Sequence, residues 1–121
     1  MARTLDALAR FTVKEDGTRK DIHEATSSIA SLTKLLHQVI QLNTNTVNYQ
    51  VAFGSAFTTP THLFLREQAG RSFTYSVNAT NRHHLVAANG FAALHGSVAS
   101  LRLSVSTTPT TRPTVEIVLC R

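Results

Sequence analysis

Four stretches in the later part of the chain alternate apolar and polar residues with period two, and this constrains the fold more than anything else in the sequence. "VNYQVAF" puts Val47, Tyr49, Val51 and Phe53 on one face, and "SFTYSVNA" puts Phe73, Tyr75, Val77 and Ala79 opposite Ser72, Thr74, Ser76 and Asn78. "SLRLSVS" sets Leu101, Leu103 and Val105 against Arg102 and Ser104, and "TVEIVLC" lines up Val115, Ile117 and Leu119. Successive side chains of a strand point to opposite faces, so this pattern predicts antiparallel strands with one dry and one wet face. "THLFLRE" adds a short apolar run. The breaks between the runs, "TTPT", "EQAGRS", "NATNR" and "TTPTTRPT", carry turn residues, and the threonine-rich "STTPTTRPT" is too polar for a core. Five or six short strands at this spacing predict a β-sandwich or small barrel, jelly-roll-like, over residues 47–121.

The region before it reads differently. Asp21 and Glu24 have the spacing of a capping box, and Ile22, Ala25, Ile29, Leu32, Leu36 and Val39 then recur every three or four residues. Leu35, Ile40 and Leu42 widen the stripe, and "NTNT" (43–46) favours a turn. An amphipathic helix of about 30 Å is therefore expected within residues 21–46. Its stripe can lie on the chain's own sheet or pack on symmetry mates, and Ile22, Ile29, Leu32, Leu36 and Val39 are the expected subunit-interface residues. Residues 1–20 are expected to form an arm or a short hairpin, with Asp16-Gly17 as its tight turn. The expectation is thus an α+β, mainly β chain with a single structural domain overall.

Charge is uneven along the 121 residues. Residues 1–24 hold five basic and five acidic side chains, whereas residues 25–121 hold seven basic ones against only Glu67 and Glu116. The net charge of +5 therefore sits in the later part. No cluster of lysines or arginines occurs there, so Arg66, Arg102 and Arg112 are candidate contacts to a lattice or polyanion rather than a sequence-reading surface. Nucleic-acid stacking would need exposed aromatics, and Tyr49, Phe73 and Tyr75 all fall on the inward face.

Three of the six histidines lie in "NRHHLVAANGFAALHG". His83 and His84 are adjacent and so diverge in a strand, His95 is distant, and His23, His37 and His62 have no ligand spacing to them. No metal, cofactor or catalytic residue is assigned. "AANGFAALHG" fits either a hairpin turn at Asn89-Gly90 or a short helix broken by glycine. Gly-x-Ser-x-Gly and glycine-rich phosphate loops are absent, and the single cysteine, Cys120, can form neither an internal disulfide nor a thiolate zinc site. No secretory signal is read at the N-terminus and no apolar run is long enough for a membrane span.

A short arm, one helix and a compact Thr/Ser-rich β domain with polar hairpin tips together resemble the small virion structural proteins of bacteriophages, namely capsid decoration (cement) proteins or collar and fibre components. The resemblance is one of architecture and composition. It implies a non-enzymatic protein that self-assembles as a homo-oligomer, a trimer by preference, and binds a capsid or tail lattice with other virion proteins as partners. It would reside in the virion, and in the host cytoplasm during assembly. Two alternatives stand beside it: a coat protein whose basic sheet face contacts nucleic acid, and a small His-dependent metal protein or enzyme. The coat proteins of single-stranded RNA phages are similar in size and begin with a hairpin, but they end in helices, where this chain is expected to end in a strand.

Overall fold

The structure, a computed structural model, describes residues 3–29, 32–43, 46–53, 59–105 and 112–121. Every regular element in it is a strand, so the chain is all-β where an α+β fold was expected. It falls into two compact units, residues 1–33 and 34–121.

The first unit is a two-stranded antiparallel ribbon of β1 (Leu5–Glu15) and β2 (Thr18–Ile29), paired from Leu5↔Ile29 to Glu15↔Thr18. Asp16 and Gly17 make its turn with φ of 51° and 76°. Two successive positive φ angles give the primed turn whose twist matches a hairpin. The ribbon takes the place of both the expected arm and the start of the expected helix.

Among the described residues, the second unit has eight strands. One four-stranded sheet runs in the order β3 (Leu35–Gln41), β10 (Thr114–Cys120), β5 (His62–Glu67), β8 (Phe91–His95). The other runs β4 (Tyr49–Gln50), β9 (Leu101–Ser104), β6 (Phe73–Val77), β7 (His84–Val86). All pairings are antiparallel. Apart from β6–β7, each connection carries the chain from one sheet to the other.

The alternation resolves into one core. Val115, Ile117 and Leu119 of β10 and Leu63 and Leu65 of β5 share a buried cluster with Leu101, Leu103, Phe73, Tyr75 and Val86 of the other sheet. Leu42, Val51, Val98 and Val105 close its ends. Burying an aliphatic side chain of this size is worth about 1.5–3 kcal/mol, so the β10 triad alone is a dominant contribution.

That triad also explains why residues 35–41 form a strand rather than the end of the expected helix. A strand buried at the centre of a sheet must pair its backbone on both sides. β5 serves one edge of β10 and β3 serves the other, from Gln41↔Thr114 to Leu35↔Cys120. Within β3, half-buried Leu36, Gln38 and Ile40 alternate with exposed Leu35, His37 and Val39. Gln38 disguises the alternation: an amide on the inner side looks like a helix's polar face, but its Nε2 donates to the Ala52 carbonyl at 3.3 Å.

"AANG" forms neither a hairpin nor a helix. It turns the chain from β7 in one sheet to β8 in the other, with the Gly90 N–H donating to the Ala87 carbonyl at 2.8 Å. The central residues are Ala88 and Asn89, not Asn89 and Gly90, and Asn89 adopts φ 58°, the left-handed position that Asn tolerates in a type II turn. A Cβ on Gly90 would sit 2.9 Å from the Ala87 oxygen, so this site requires glycine for space.

Candidate functional site

The register of the β3-β10-β5-β8 sheet fixes the composition of its outer face row by row. One row reads Val39, Glu116, Arg66, Phe91 and the next His37, Val118, Phe64, Ala93. A third reads Leu35, Cys120, His62, His95. Apolar residues stand at the edges, with Leu35 50%, Val39 56% and Phe91 64% exposed. Phe64 and Phe91 stack with ring centroids 6.4 Å apart.

An ion cluster occupies the middle. Glu116 receives Arg66 on Oε1 at 3.0 Å and His37 on Oε2 at 3.1 Å. The carboxylate is thus engaged on both oxygens, while half of the Arg66 side chain still faces solvent.

His62 and His95, 33 positions apart, meet as a cross-strand pair with stacked rings 4.4 Å apart. Burial, and then the charge of His95, hold the His62 pKa below its ordinary value, because two imidazoliums this close repel. Burial pushes the Cys120 thiol up, which removes thiolate character and with it nucleophilicity.

The β4-β9-β6-β7 sheet presents a different outer face: Gln50, Arg102, Ser76, Ser104, Thr74 and Leu85. Arg102 is half-buried and donates to Ser100 Oγ at 3.3 Å. The Ser76 hydroxyl is fully buried and donates to the Ala79 carbonyl.

The most engaged polar side chain is one that motif reasoning passed over. Glu67 is 1% exposed. Its Oε2 accepts the N–H of Ala69 at 2.9 Å and of Thr114 at 3.0 Å, and its Oε1 accepts those of Arg71 at 2.8 Å and Asn89 at 3.3 Å. Burial raises the pKa of this carboxyl, but the four backbone donors together outweigh it and hold the pKa below the ordinary value. One side chain thereby ties the end of β5 to the β5–β6 loop, the β7–β8 turn and the start of β10. The signal was present: continuing the alternation of Leu63 and Leu65 puts Glu67 on the inner side.

The expected sites fare unevenly. Ile22 and Ile29 lie in β2, with side chains outside what is described. Leu32 precedes β3 and donates its N–H to the Arg3 carbonyl at 2.7 Å. Leu36 and Val39 share β3 but point to opposite faces. These five residues therefore do not form one stripe, because the helix that would align them is not there. Arg66, Arg102 and Arg112 are also dispersed: Arg66 pairs with Glu116, Arg102 lies on the opposite sheet, and Arg112 donates to Asn43 Oδ1 at 2.8 Å. Most of the threonine-rich tip, residues 106–111, lies outside the described residues.

His83 and His84 are exposed, and the His84 ring lies 5.3 Å from that of Tyr75. Tyr75, His84, Leu94 and Val98 line an open groove of about 430 Å³. Among the described residues, no group of three or more His, Cys, Asp or Glu side chains is placed to hold a metal, and no helix is long and apolar enough to cross a membrane. Comparison with protein-family models, curated proteins and solved structures finds no match for the chain.

Proposed function

We propose that this chain is a non-enzymatic structural protein of a virion, built on a jelly-roll β-sandwich, which self-associates and binds a capsid or tail lattice. The strand order supports the jelly-roll reading: two four-stranded sheets share one core, and the chain crosses between them at nearly every connection. Jelly rolls serve viral capsids, lectins and cupins alike, so the fold by itself argues by analogy.

The observation that carries the reading is the ribbon. Two strands of eleven and twelve residues form a sheet of their own, and Phe11 and Leu8 on them are 68% and 59% exposed. A two-stranded hairpin is marginal at best in water unless something packs on it. A two-stranded ribbon with Leu8 and Phe11 exposed on its opposite faces is intelligible if another molecule covers one of them. The resemblance prefers three copies, and the strands give no reason to favour three over two. The genome-facing alternative draws little support, since Arg102 stands among hydroxyls and an amide rather than in a basic patch.

Light scattering on the full chain across a wide concentration range, with electron microscopy of the same samples, tests the proposal. The expected result is a mass above the monomer that rises with concentration. A monomer at every concentration would overturn self-association.

A further inference from the structure

We infer that the groove beside Tyr75 and His84 is a binding site for an uncharged sugar ring. It lies between β7 and β8, each the last strand of its sheet, where the inner sides of the two sheets part. Register puts Tyr75, Val77 and His84 on the core side of β6 and β7, and they form one wall. Leu94 pairs with Leu63 on the core side of β8 and lines the other wall, where it is 37% exposed. Gly96, Ser97 and Val98 complete the lining. The site lies wholly within residues 34–121 and does not depend on self-association.

Tyr75 marks the groove as a site. It is only 8% exposed, yet its hydroxyl has no hydrogen-bond partner among the described residues. Buried tyrosine hydroxyls ordinarily find one. Among the described residues, the buried side-chain polar atom that is both unpaired and sealed from water is Asn48 Oδ1. The Tyr75 hydroxyl is therefore not sealed, and the space it opens on is the groove. Burial raises its pKa, so it stays protonated and can both donate and accept.

The lining selects the ligand's chemistry. Its side chains include no carboxylate, lysine or arginine, so a charged ligand would lose hydration and gain no counter-charge. The hydroxyls of Tyr75 and Ser97 and the imidazole of His84 each donate and accept, and the group that complements all three is another hydroxyl. His95 also borders the groove, with its ring stacked on His62. Val77, Leu94 and Val98 supply apolar surface, and the Tyr75 and His84 rings stand 5.3 Å apart at 33°. A pyranose has this combination, an apolar C–H face with hydroxyls around its rim. The groove's volume of about 430 Å³ suits a small ligand, and its open side admits one ring of a longer chain.

One wall is fixed in advance. The N–H groups of Gly96 and Val98 donate to the carbonyls of Thr61 and Pro60 at 2.8 and 2.9 Å. Asn78 Nδ2 donates to the Ser97 carbonyl at 2.9 Å, and Asn78 Oδ1 accepts the N–H of Ala99 at 2.6 Å and of Ser100 at 3.1 Å. A preformed wall spares a ligand the cost of ordering it.

The experiment titrates the full chain with the methyl glycosides of glucose, galactose, mannose and N-acetylglucosamine, followed by NMR. Adenosine and inorganic phosphate serve as counter-ligands. At least one glycoside should bind, with shifts centred on Tyr75, Leu94 and Val98, and neither counter-ligand should. Tyr75→Phe should weaken that binding about tenfold and leave the urea midpoint unchanged, because the hydroxyl it removes makes no bond in the free chain. If Tyr75→Phe disturbs folding, the exposed His84→Ala takes its place and should weaken binding likewise. Four glycosides that leave these resonances unmoved, or binding that survives both substitutions, would overturn the site. Adenosine or phosphate binding there in place of a glycoside would overturn the sugar assignment. None of these outcomes bears on the native mass, which tests self-association separately.

Discussion

The two sheets share one core and differ in what they show to the outside. On the outer side of β4-β9-β6-β7 stand Gln50, Arg102, Thr74, Ser104 and the exposed Leu85, with the Ser76 hydroxyl buried. The outer face of β3-β10-β5-β8 sets Leu35, Val39, Val118, Phe64, Phe91, Ala93 and Cys120 around the Arg66–Glu116–His37 cluster and the His62–His95 pair. Clean alternation therefore marks a sheet with a wet side, and weakened alternation marks one with two dry sides. β9 and β6 show the first as "LRLS" and "FTYSV", and β10 shows the second as "TVEIVLC", where Val118 and Cys120 interrupt the polar positions. The sheets also differ in their buried polar groups. The first encloses a carboxylate bound by four N–H donors, and the second a hydroxyl making one bond.

The largest effect expected from this contrast is at Glu67. Glu67→Leu removes the acceptor for four backbone N–H groups, and each buried donor left unpaired costs about 1–3 kcal/mol. Water re-entering the loop will recover part of that, so a net loss of about 4 kcal/mol is expected in urea unfolding. Glu67→Gln should lose about half as much, since one oxygen becomes a donor facing donors. A loss below about 1 kcal/mol for Glu67→Leu would show that this end of the first sheet is held by something else.

Much of the second unit was legible from local pattern. The inward Leu101 and Leu103 of β9, the inward triad of β10 and the inner residues of β6 follow from period two alone, and in the first unit Asp16-Gly17 marks its own turn. What failed was a segment where two periods coexist. Ile22 to Val39 fits a heptad, yet Ile22 and Ile29 fall in β2, paired with β1, while Leu36 and Val39 serve the second edge of β10, and that last requirement is non-local. The His62–His95 pair was invisible for the same reason, since register, not sequence spacing, brings them together. Glu67 was legible in position, as the third inward residue of β5, but its four donors come from segments up to 47 positions away.

The next effect is acid sensitivity, and both responsible groups lie in the first sheet. His62 has a folded pKa below its ordinary value, so protonation favours the unfolded chain. The stability it contributes is complete above about 6.5 and is lost as pH falls through that value toward the folded pKa. Glu67 is likewise lowered. Its contribution is complete above about 4.3 and is lost as pH falls through its folded pKa. Stability should therefore fall with acid in two successive windows. His62→Gln should flatten the upper one alone, and an unchanged upper slope in that variant would remove His62 as its source.

In the second sheet the corresponding change is modest. Ser76→Ala deletes one hydrogen bond and leaves the Ala79 carbonyl to find water at the sheet edge, so a loss of about 1 kcal/mol is expected. A loss as large as that of Glu67→Leu would erase the contrast between the two buried polar groups.

The smallest effect is expected at Arg102, where the two outer faces can be compared most directly. Its guanidinium lies along a hydroxyl-rich face and donates to Ser100 Oγ, so Arg102→Ala removes a partly screened contact worth about 0.5–1 kcal/mol. It should leave the native mass unchanged. Nucleic-acid retention is the second readout. Each neutralised phosphate steepens the salt dependence of binding, and a face with a single cation among Gln50, Thr74, Ser76 and Ser104 neutralises too few to hold nucleic acid at physiological salt. Co-purifying nucleic acid that disappears in Arg102→Ala, with assembly intact, would invert the comparison: the hydroxyl-rich sheet would become the functional face, and the apolar sheet merely the buried side of a coat.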